Sequence, residues 1–463
     1  MAEGIIESRN PAHPDDVVGR FVRLGCLELE AVLLAAEGAR TAWGRLAPIR
    51  AAALVAWASA IEHEADPLAH LLAREVGKPI SEARGEVSRT IGIIHYYAQA
   101  AFDASGELYP SPDGHSTIAA ERIPLGIVLA ITPWNFPLAI PAWKIAPALA
   151  YGNVVLFKPS SAAIATAHRF VELSRPHVSS DVLQLLTASG EAVEKLLDEE
   201  RVAGVSFTGS AEVGQGLVAR VASRGAAVQA EMGGQNASII LDDADLDFAA
   251  RTVATSAMAF AGQKCTATSR VIIHERVADA FLPRLVSAVG SLELGDPQQE
   301  STVVGPVISR EAMDGVDAAV KAATAAGAEV LIGGRRVDRE GWFYQPALLR
   351  VADSSDRFVQ EETFGPAAAV QIVADDEEAI RIANGTRFGL VAAVFGSSSA
   401  RTHHVSRHID AGMVRINEPT TGVDYYAPFG GEKGSSYGPR EQGRAAREFF
   451  TRSRTITSSP GPG

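Results

Sequence analysis

The chain has 463 residues, more than one hydrophobic core usually contains, so we expect two or three domains. Hydrophobic residues make up 47% and charged residues 21%, as in ordinary globular proteins, and the net charge of -13 argues against a nucleic-acid partner. Two cysteines cannot form a disulfide framework, and the first residues lack a basic segment followed by an apolar core, so we expect a cytoplasmic protein.

The N-terminal quarter has the periodicity of helices. Apolar residues recur every three or four positions over 29–43, 49–65, 68–76 and 79–104, and a turn-forming cluster at 108–114 follows. Residues 116–123 are predicted to form a strand. The next stretch, 123–157, carries Lys144 as its single charged side chain between its ends, but prolines interrupt it, which disfavours insertion into a membrane.

From residue 125 onwards, apolar strands alternate with helices. Strands are predicted at 126–132, 153–158, 182–187, 202–208 and 226–232, and a second alternating block runs from about 237 to 415. This pattern predicts an α/β fold with parallel sheets covered on both faces. The tail at 451–458 alternates and is predicted to be an edge strand, which can pair with another subunit.

Cys265 follows a segment of small residues that would allow close approach of the backbone. A lone cysteine in a long chain is a candidate nucleophile. The alternative is a small buried hydrophobe, since free cysteines are often buried.

Two loops that follow predicted strands could contact a nucleotide. Gly209 and Ser210 come between a strand and a helix, whose N-terminus favours an anion such as a pyrophosphate, although the three-glycine fingerprint is absent. Lys158 ends another strand and could meet a ribose or a phosphate. The alternative for Gly209 and Ser210 is a plain turn, and the alternative for Lys158 is a solvated lysine at the end of a strand.

Two further strand ends carry groups suited to acyl chemistry. Asn135 stands between two prolines, and such a rigid amide can donate to an oxyanion. Glu231 ends an apolar strand beside two glycines, where poor solvation would make it a weak acid and a base near neutral pH. The alternative for Asn135 is a rigid, buried turn. The alternative for Glu231 is a glutamate that caps a helix or forms an ion pair.

Together these segments resemble the aldehyde dehydrogenase superfamily almost from end to end. Glu75-Val-Gly-Lys-Pro79, Glu361-Glu-Thr-Phe-Gly-Pro366 and Pro428-Phe-Gly-Gly431 add to the match. The resemblance implies a Rossmann-like cofactor domain (1–105 and 124–231), a catalytic domain (232–446) and a small β oligomerisation element (106–123 and 447–463). A homodimer or homotetramer is expected.

The resemblance also implies catalytic roles. Cys265 would attack an aldehyde as a thiolate, so we expect the site to favour the ionised thiol. Asn135 and the backbone N–H of Cys265 would hold the oxyanion, and Glu231 would activate the water that hydrolyses the thioester. Lys144 would support proton movement. No metal is expected.

A nicotinamide cofactor is implied as well. The positions that match cofactor-binding residues of the family are Ile131, Thr132, Trp134, Lys158, Ser160, Ser161, Phe207, Gly209, Ser210, Gly214, Met232, Gly233, Glu362 and Phe364. The expected cofactor is NAD(P), leaning to NADP. Ser161 stands where many NAD-preferring members carry a glutamate that binds the adenine ribose. Without that carboxylate, a 2′-phosphate beside Lys158 would meet no repulsion from a negative charge.

Segments 262–270, 417–424 and 434–443 resemble the α-ketoglutarate semialdehyde (2,5-dioxopentanoate) dehydrogenase branch. We expect Lys264 and Thr266 beside the nucleophile, and Thr420 and Thr421 in an entrance loop, which would be compatible with an acidic aldehyde. The alternatives are another aliphatic or aromatic aldehyde, a CoA-acylating semialdehyde dehydrogenase and a catalytically silent binding protein. Glu231 argues against the acylating enzyme, since a thiol acceptor needs no positioned base.

Overall fold

The structure, a computed structural model, describes residues 4–460, apart from the side chains of Cys26 and Leu27. The predicted cofactor domain begins with residues 1–3, and the predicted oligomerisation element ends with residues 461–463. Both segments lie outside the described range. The described chain begins with β1 (Ile5–Arg9), β2 (Val17–Val22), α1 (Cys26–Arg45), α2 (Ala47–His63), α3 (Ala65–Val76), α4 (Ile80–Ala100), β3 (Gly106–Tyr109) and β4 (Thr117–Pro124).

The four predicted N-terminal helices are confirmed. Gly77 ends α3 with a φ of 72°, a left-handed conformation that glycine adopts without strain. The hairpin of β1 and β2 was not predicted. The beginning of the predicted turn cluster is also wrong, because Leu108 and Tyr109 pair with β4 as part of β3.

The first large unit alternates strands and helices, as the sequence predicts. Its elements are β5 (Ile127–Ile131), α5 (Ala139–Ala150), β6 (Val154–Lys158), α6 (Ile164–Glu172), β7 (Leu183–Leu185), α7 (Gly190–Asp198), β8 (Val202–Thr208), α8 (Ala211–Ser223) and β9 (Ala227–Glu231). Neighbouring strands among β5 to β9 are parallel. Alternate residues of β5 enter different cores: Val128 packs with α2 to α5, whereas Leu129 packs with α1, α7 and α8.

The second unit is built in the same way around a seven-stranded sheet. Its elements are β10 (Asn236–Ile240), α9 (Leu246–Met258), β11 (Thr268–His274), α10 (Glu275–Gly290), α11 (Arg310–Ala325), β12 (Glu329–Ile332), β13 (Ala347–Arg350), α12 (Arg357–Gln360), β14 (Ala367–Val373), α13 (Asp376–Asn384), β15 (Phe388–Gly389), β16 (Val391–Phe395), α14 (Ser399–Arg407) and β17 (Met413–Ile416). The strand order is β12-β13-β14-β11-β10-β16-β17, and only β12 runs antiparallel to its neighbour. These two sheets confirm the predicted α/β class.

The C-terminal segment pairs with strands from earlier parts of the chain. It comprises β18 (Glu432–Lys433), β19 (Ser436–Tyr437), α15 (Ala446–Phe450) and β20 (Thr451–Ser458). β19 pairs with β9, so the first sheet has the order β19-β9-β8-β5-β6-β7. β20 pairs with β4 in the three-stranded antiparallel sheet β20-β4-β3, which confirms the predicted edge strand. Among the helices of residues 4–460, none combines the length and hydropathy needed to cross a bilayer.

Candidate active site

The candidate residues meet at the carboxyl edge of the first sheet. β5 leads into the loop of Asn135, β8 leads into Gly209, and β9 ends at Glu231. These three strands are neighbours, in the order β9-β8-β5. Parallel strands bring their carboxyl ends to the same edge, where α/β proteins bind ligands. The segment after α9 brings Cys265 to this edge from the second unit.

The loop that carries Cys265 is tightly wound. A 3-10 helix over Ala259–Gly262 precedes it, in which Phe260, Ala261 and Gly262 have φ values of 55°, 52° and 66°. Left-handed conformations are strained in residues other than glycine and persist only where the surroundings enforce them. A Cβ atom on Gly262 would lie 2.2 Å from the carbonyl oxygen of Gly365. The expected close approach of backbones at this segment is therefore confirmed.

Two amide side chains fasten the nucleophile loop. Asn236 Nδ2 donates to the carbonyl oxygens of Cys265 and Ala267 at 2.7 and 2.8 Å. Gln263 Oε1 accepts a hydrogen bond from the backbone N–H of Ile308 at 2.8 Å. Sequence reasoning missed both residues. A polar residue at the start of the apolar strand β10 was the available signal for Asn236, since buried amides need partners.

Asn135 is positioned to donate near the thiol. Its side chain is 2% exposed, and Nδ2 donates one hydrogen bond to the carbonyl oxygen of Gln263 at 3.0 Å. The amide has a second N–H available. The backbone N–H of Cys265 hydrogen-bonds toward its own sulfur. Two such donors can stabilise a developing oxyanion on a carbon bonded to that sulfur.

The charges around Cys265 keep its thiol protonated. Burial, and then the negative charges of Glu362 and Glu231, together raise the pKa of Cys265 to about 12. The expectation that the site favours the ionised thiol is therefore wrong for the protein alone. The physical reason is that a thiolate here would lose hydration and face nearby negative charges.

Glu231 is a buried carboxyl group held at one oxygen. Ser436 Oγ donates to Glu231 Oε2 at 2.5 Å across the pairing of β19 and β9. Burial, and then the negative charge of Glu441, raise the pKa of Glu231 well above its ordinary value. This confirms the expected weak acid.

Lys144 lies in a buried ionic cluster whose acid partner the sequence analysis did not identify. The ammonium group is 1% exposed, pairs with Glu441 and donates to Ser206 Oγ at 2.9 Å. Trp143 Nε1 donates to Glu441 Oε2 at 2.7 Å. A lysine in an apolar helix requires a buried counter-charge, so the sequence indicated that a partner exists but not which acid it is.

Cys265 borders a cavity of about 350 Å³ at the carboxyl edge of the first sheet. Seven residues expected to bind the cofactor also line it: Trp134, Gly209, Ser210, Met232, Gly233, Glu362 and Phe364. Burial raises the pKa of Glu362 to about 7, and its Oε1 accepts a hydrogen bond from the backbone N–H of Gly234 at 3.1 Å. The rings of Trp134 and Phe364 meet edge to face with their centroids 5.7 Å apart.

Close packing at the start of α8 shapes the same cavity. A Cβ atom on Gly214 would lie 2.6 Å from Met232 Sδ, so the absence of a side chain at Gly214 lets the helix pack closely. A Cβ on Gly209 would lie 2.5 Å from the ring of Phe207. Phe207 is buried and packs against this turn, and it does not line the cavity.

The remaining cofactor candidates lie outside this cavity. Ile131 and Thr132 are buried, Ser160 caps a 3-10 helix by accepting from the N–H of Ala162, and Ser161 is exposed at the start of that helix. Lys158, the last residue of β6, is half-buried nearby.

The site fits a nicotinamide dinucleotide. Within the described chain, the hydroxyl group of Thr208, which lines the cavity, is buried without a hydrogen-bond partner and is available to a polar ligand. Ser210 begins α8 at the cavity, so the positive end of the helix dipole faces the space where a pyrophosphate would bind.

A second cavity, of about 270 Å³, also borders Cys265. Lys264, Thr266 and Thr421 line it as expected, and Lys264 forms an ion pair with Glu82 at 2.7 Å. The expectation for Thr420 is wrong. Its side chain is 1% exposed and hydrogen-bonds to Ser256 and Thr268, so it is part of a buried hydroxyl cluster.

The lining of the second cavity also contains residues that the sequence analysis did not select. They are Gly85, Glu86, Arg89, Phe136, Trp143, Gly422, Val423 and Phe429, together with Glu82. Two cavities of different character thus meet at one cysteine. A thiol in that position can react with a group entering from one side while a redox cofactor occupies the other.

Comparison with known proteins agrees with this geometry. The family model described as "Aldehyde dehydrogenase family" matches residues 2–456. The alpha-ketoglutaric semialdehyde dehydrogenase of Bacillus subtilis (strain 168) is 38% identical over 463 residues, which cover 98% of this chain and 95% of the relative. The succinate-semialdehyde dehydrogenase of Escherichia coli (strain K12), whose name specifies NADP(+), is 35% identical over 94% of this chain and 90% of its own.

Solved structures give the same result. A betaine aldehyde dehydrogenase from Staphylococcus aureus in complex with NAD+ has a TM-score of 0.96 and 31% identity, covering 100% of this chain and 92% of that one. The chain therefore belongs to the aldehyde dehydrogenase family and is an oxidoreductase that oxidises aldehydes with a nicotinamide cofactor.

Proposed function

We propose that Cys265 carries the covalent chemistry, and the observation that supports this most directly is its position between the two cavities. The sulfur adds to the aldehyde carbon, and the thiol proton passes to a water molecule that enters the cavity. Asn135 and the backbone N–H of Cys265 stabilise the oxyanion of the resulting thiohemiacetal. A nicotinamide cofactor held in the cavity lined by Trp134, Glu362 and Phe364 would supply the hydride acceptor for that carbon, whose oxidation leaves a thioester on Cys265.

Glu231 is proposed to remove a proton from the water that attacks the thioester, which releases the carboxylic acid and regenerates the thiol. Its raised pKa supports a role as a base, and the Lys144–Glu441 pair offers a route for the proton away from the buried site. The variant Glu231→Gln should form one equivalent of reduced cofactor per active site rapidly and then turn over slowly. A linear time course without this burst would contradict the assignment.

The proposed substrate is α-ketoglutarate semialdehyde or a similar acidic semialdehyde. Relatives from Bacillus subtilis, Haloferax volcanii and Saccharolobus solfataricus carry names that specify this activity, at 33% to 38% identity. The small size of the second cavity supports a substrate of few carbons. Comparison of kcat/KM for this semialdehyde with those for pentanal and benzaldehyde tests the proposal, and higher values for the uncharged aldehydes would reject it.

The proposed cofactor preference is NADP. Burial lowers the pKa of Lys158, and the positive charge of Arg23 lowers it further, so these two cations lie close together. The Nε atom of Arg23 is buried without a partner in the described structure, and the neighbouring Ser161 carries no negative charge. Two cations without an acid suit a 2′-phosphate. Adenosine 2′,5′-bisphosphate should therefore bind more tightly than 5′-AMP, and equal affinities would contradict the preference.

The assembly, the domains and the location are proposed from the same resemblance. A homodimer or homotetramer is supported by the edge strands β3 and β20, on which Leu108 and Ile456 are exposed apolar residues. We retain the predicted cofactor, catalytic and oligomerisation domains, with β19 crossing from the catalytic range to the cofactor sheet. The small number of cysteines supports a cytoplasmic location. Light scattering coupled to size-exclusion chromatography measures the assembly.

A further inference from the structure

We propose that Arg89 binds the carboxylate at the far end of an acidic semialdehyde and so determines substrate specificity. The inference rests on the proposed substrate class and extends it to one residue. Arg89 and Cys265 line the same cavity of about 270 Å³. An aldehyde at the sulfur would therefore place its other end within a space that Arg89 borders.

One face of α4 forms a wall of this cavity. Glu82, Gly85, Glu86 and Arg89 all line it. Gly85 and Glu86 stand three and four residues after Glu82, and Arg89 stands three residues after Glu86, which places all four on one side of the helix. Gly85 leaves space between the charged positions, and a Cβ atom there would have no neighbour within 4 Å. Arg89 is thus held on a rigid element.

The two acids on this face already have positive partners. Glu86 pairs with the buried Lys78, and its Oε1 also accepts from the backbone N–H groups of Leu138 and Ala139 at 2.9 and 3.0 Å. Glu82 pairs with Lys264 at 2.7 Å. Neither acid is therefore available to neutralise Arg89.

Arg89 is the cation without a partner in this lining. Its guanidinium group is half-buried and makes no hydrogen bond, ion pair or ring contact within residues 4–460. A guanidinium group presents N–H donors in a fork that matches a carboxylate, and such bidentate bonds are strong where water is partly excluded. Thr421, which lines the same cavity, adds a hydroxyl group that can donate to the same anion.

The remainder of the wall suits the carbon chain of the substrate. Phe136, Trp143 and Phe429 line the cavity, and the rings of Trp143 and Phe429 pack with centroids 5.6 Å apart. Apolar rings beside one unpaired cation select an aldehyde that carries one anionic group. An uncharged aldehyde of the same length would fit but would leave Arg89 without a partner.

The test compares Arg89→Met and Arg89→Lys with a matched control on the same helix. Arg84→Met is the control, because Arg84 is exposed and pairs with Glu300 and Asp66 outside the cavity. Each protein is assayed at saturating cofactor with α-ketoglutarate semialdehyde, glutarate semialdehyde and pentanal, and its melting temperature verifies folding.

We expect Arg89→Met to raise KM for both semialdehydes by about 10- to 100-fold, as for loss of a hydrogen-bonded charge, while kcat/KM for pentanal stays unchanged. Arg89→Lys should recover part of the loss, and Arg84→Met should resemble the wild type. An unchanged KM for semialdehydes in Arg89→Met, or an equal loss for pentanal, would overturn the assignment. If the wild type itself favours pentanal, the proposed substrate class fails, and the role of Arg89 fails with it.

Discussion

Replacing Glu362 by glutamine should make Cys265 more reactive toward alkylating reagents. Burial and nearby carboxylates raise the pKa of Cys265 from 9.0 to about 12, which lowers the thiolate fraction at neutral pH by a factor of about 1000. Glu362 contributes the largest of the charge effects, second to burial. Its share is therefore less than half of the total, and we expect its removal to increase the thiolate fraction about 10-fold.

The pH dependence distinguishes charge from other effects of the substitution. The pKa of Glu362 is about 7, so its carboxyl group is charged above this pH and neutral below it. The variant should consequently react faster than the wild type at pH 8 and at the same rate at pH 5.5. The difference in rate appears only at the higher pH because only the ionised carboxylate of Glu362 destabilises the thiolate of Cys265.

The assay measures the second-order rate of reaction with iodoacetamide in the absence of cofactor. Mass spectrometry of the peptide that contains Cys265 excludes any contribution from Cys26. Glu361→Gln is the matched control, because this neighbour is exposed and pairs with Arg357. Equal rates of Glu362→Gln and wild type at pH 8 would refute the reasoning, as would an acceleration that persists unchanged at pH 5.5.

Three further substitutions test other parts of the site. Glu441→Gln leaves Lys144 buried without its counter-charge and should lower the free energy of unfolding by about 3 to 5 kcal/mol, measured by urea denaturation. Ser436→Ala removes a hydrogen bond that lowers the pKa of Glu231, so the acid limb of the pH profile for kcat should move to higher pH. Gly262→Ala introduces a backbone clash at a positive φ, so a melting temperature equal to that of the wild type would contradict the close packing.

The sequence predicted the sheets because their strands are encoded locally. Apolar runs such as β5 and β8 are continuous and flanked by turn residues, and helices with regular periodicity separate them. The hairpin of β1 and β2 was missed because its strands are mostly half-buried or exposed and lack a continuous apolar run. The two-residue strand β19 depends on pairing with β9, which no local pattern encodes.

Some residues of the candidate site could likewise be predicted from their local sequence, and others could not. Cys265, Asn135 and Glu231 were identified because each has an unusual local setting, a lone thiol, an amide between prolines and an acid at the end of an apolar strand. Glu441 and Arg89 have no such setting. Glu441 acquires its importance from a lysine far away in the chain, and Arg89 from having no partner among the residues that the structure describes. Both properties arise only when the chain is folded.

The distribution of charge gives the two cavities different preferences. On the cofactor side, Glu362 borders the cavity, and the charge of Glu231 also reaches the sulfur of Cys265. On the other side, each acid of the α4 face has a lysine partner, which leaves the positive charge of Arg89 in excess. A cationic nicotinamide ring is therefore favoured on one side of the thiol and an anionic aldehyde on the other. Because the cationic ring also opposes the carboxylates that suppress the thiolate, occupation of the cofactor side should make Cys265 more nucleophilic before the aldehyde arrives.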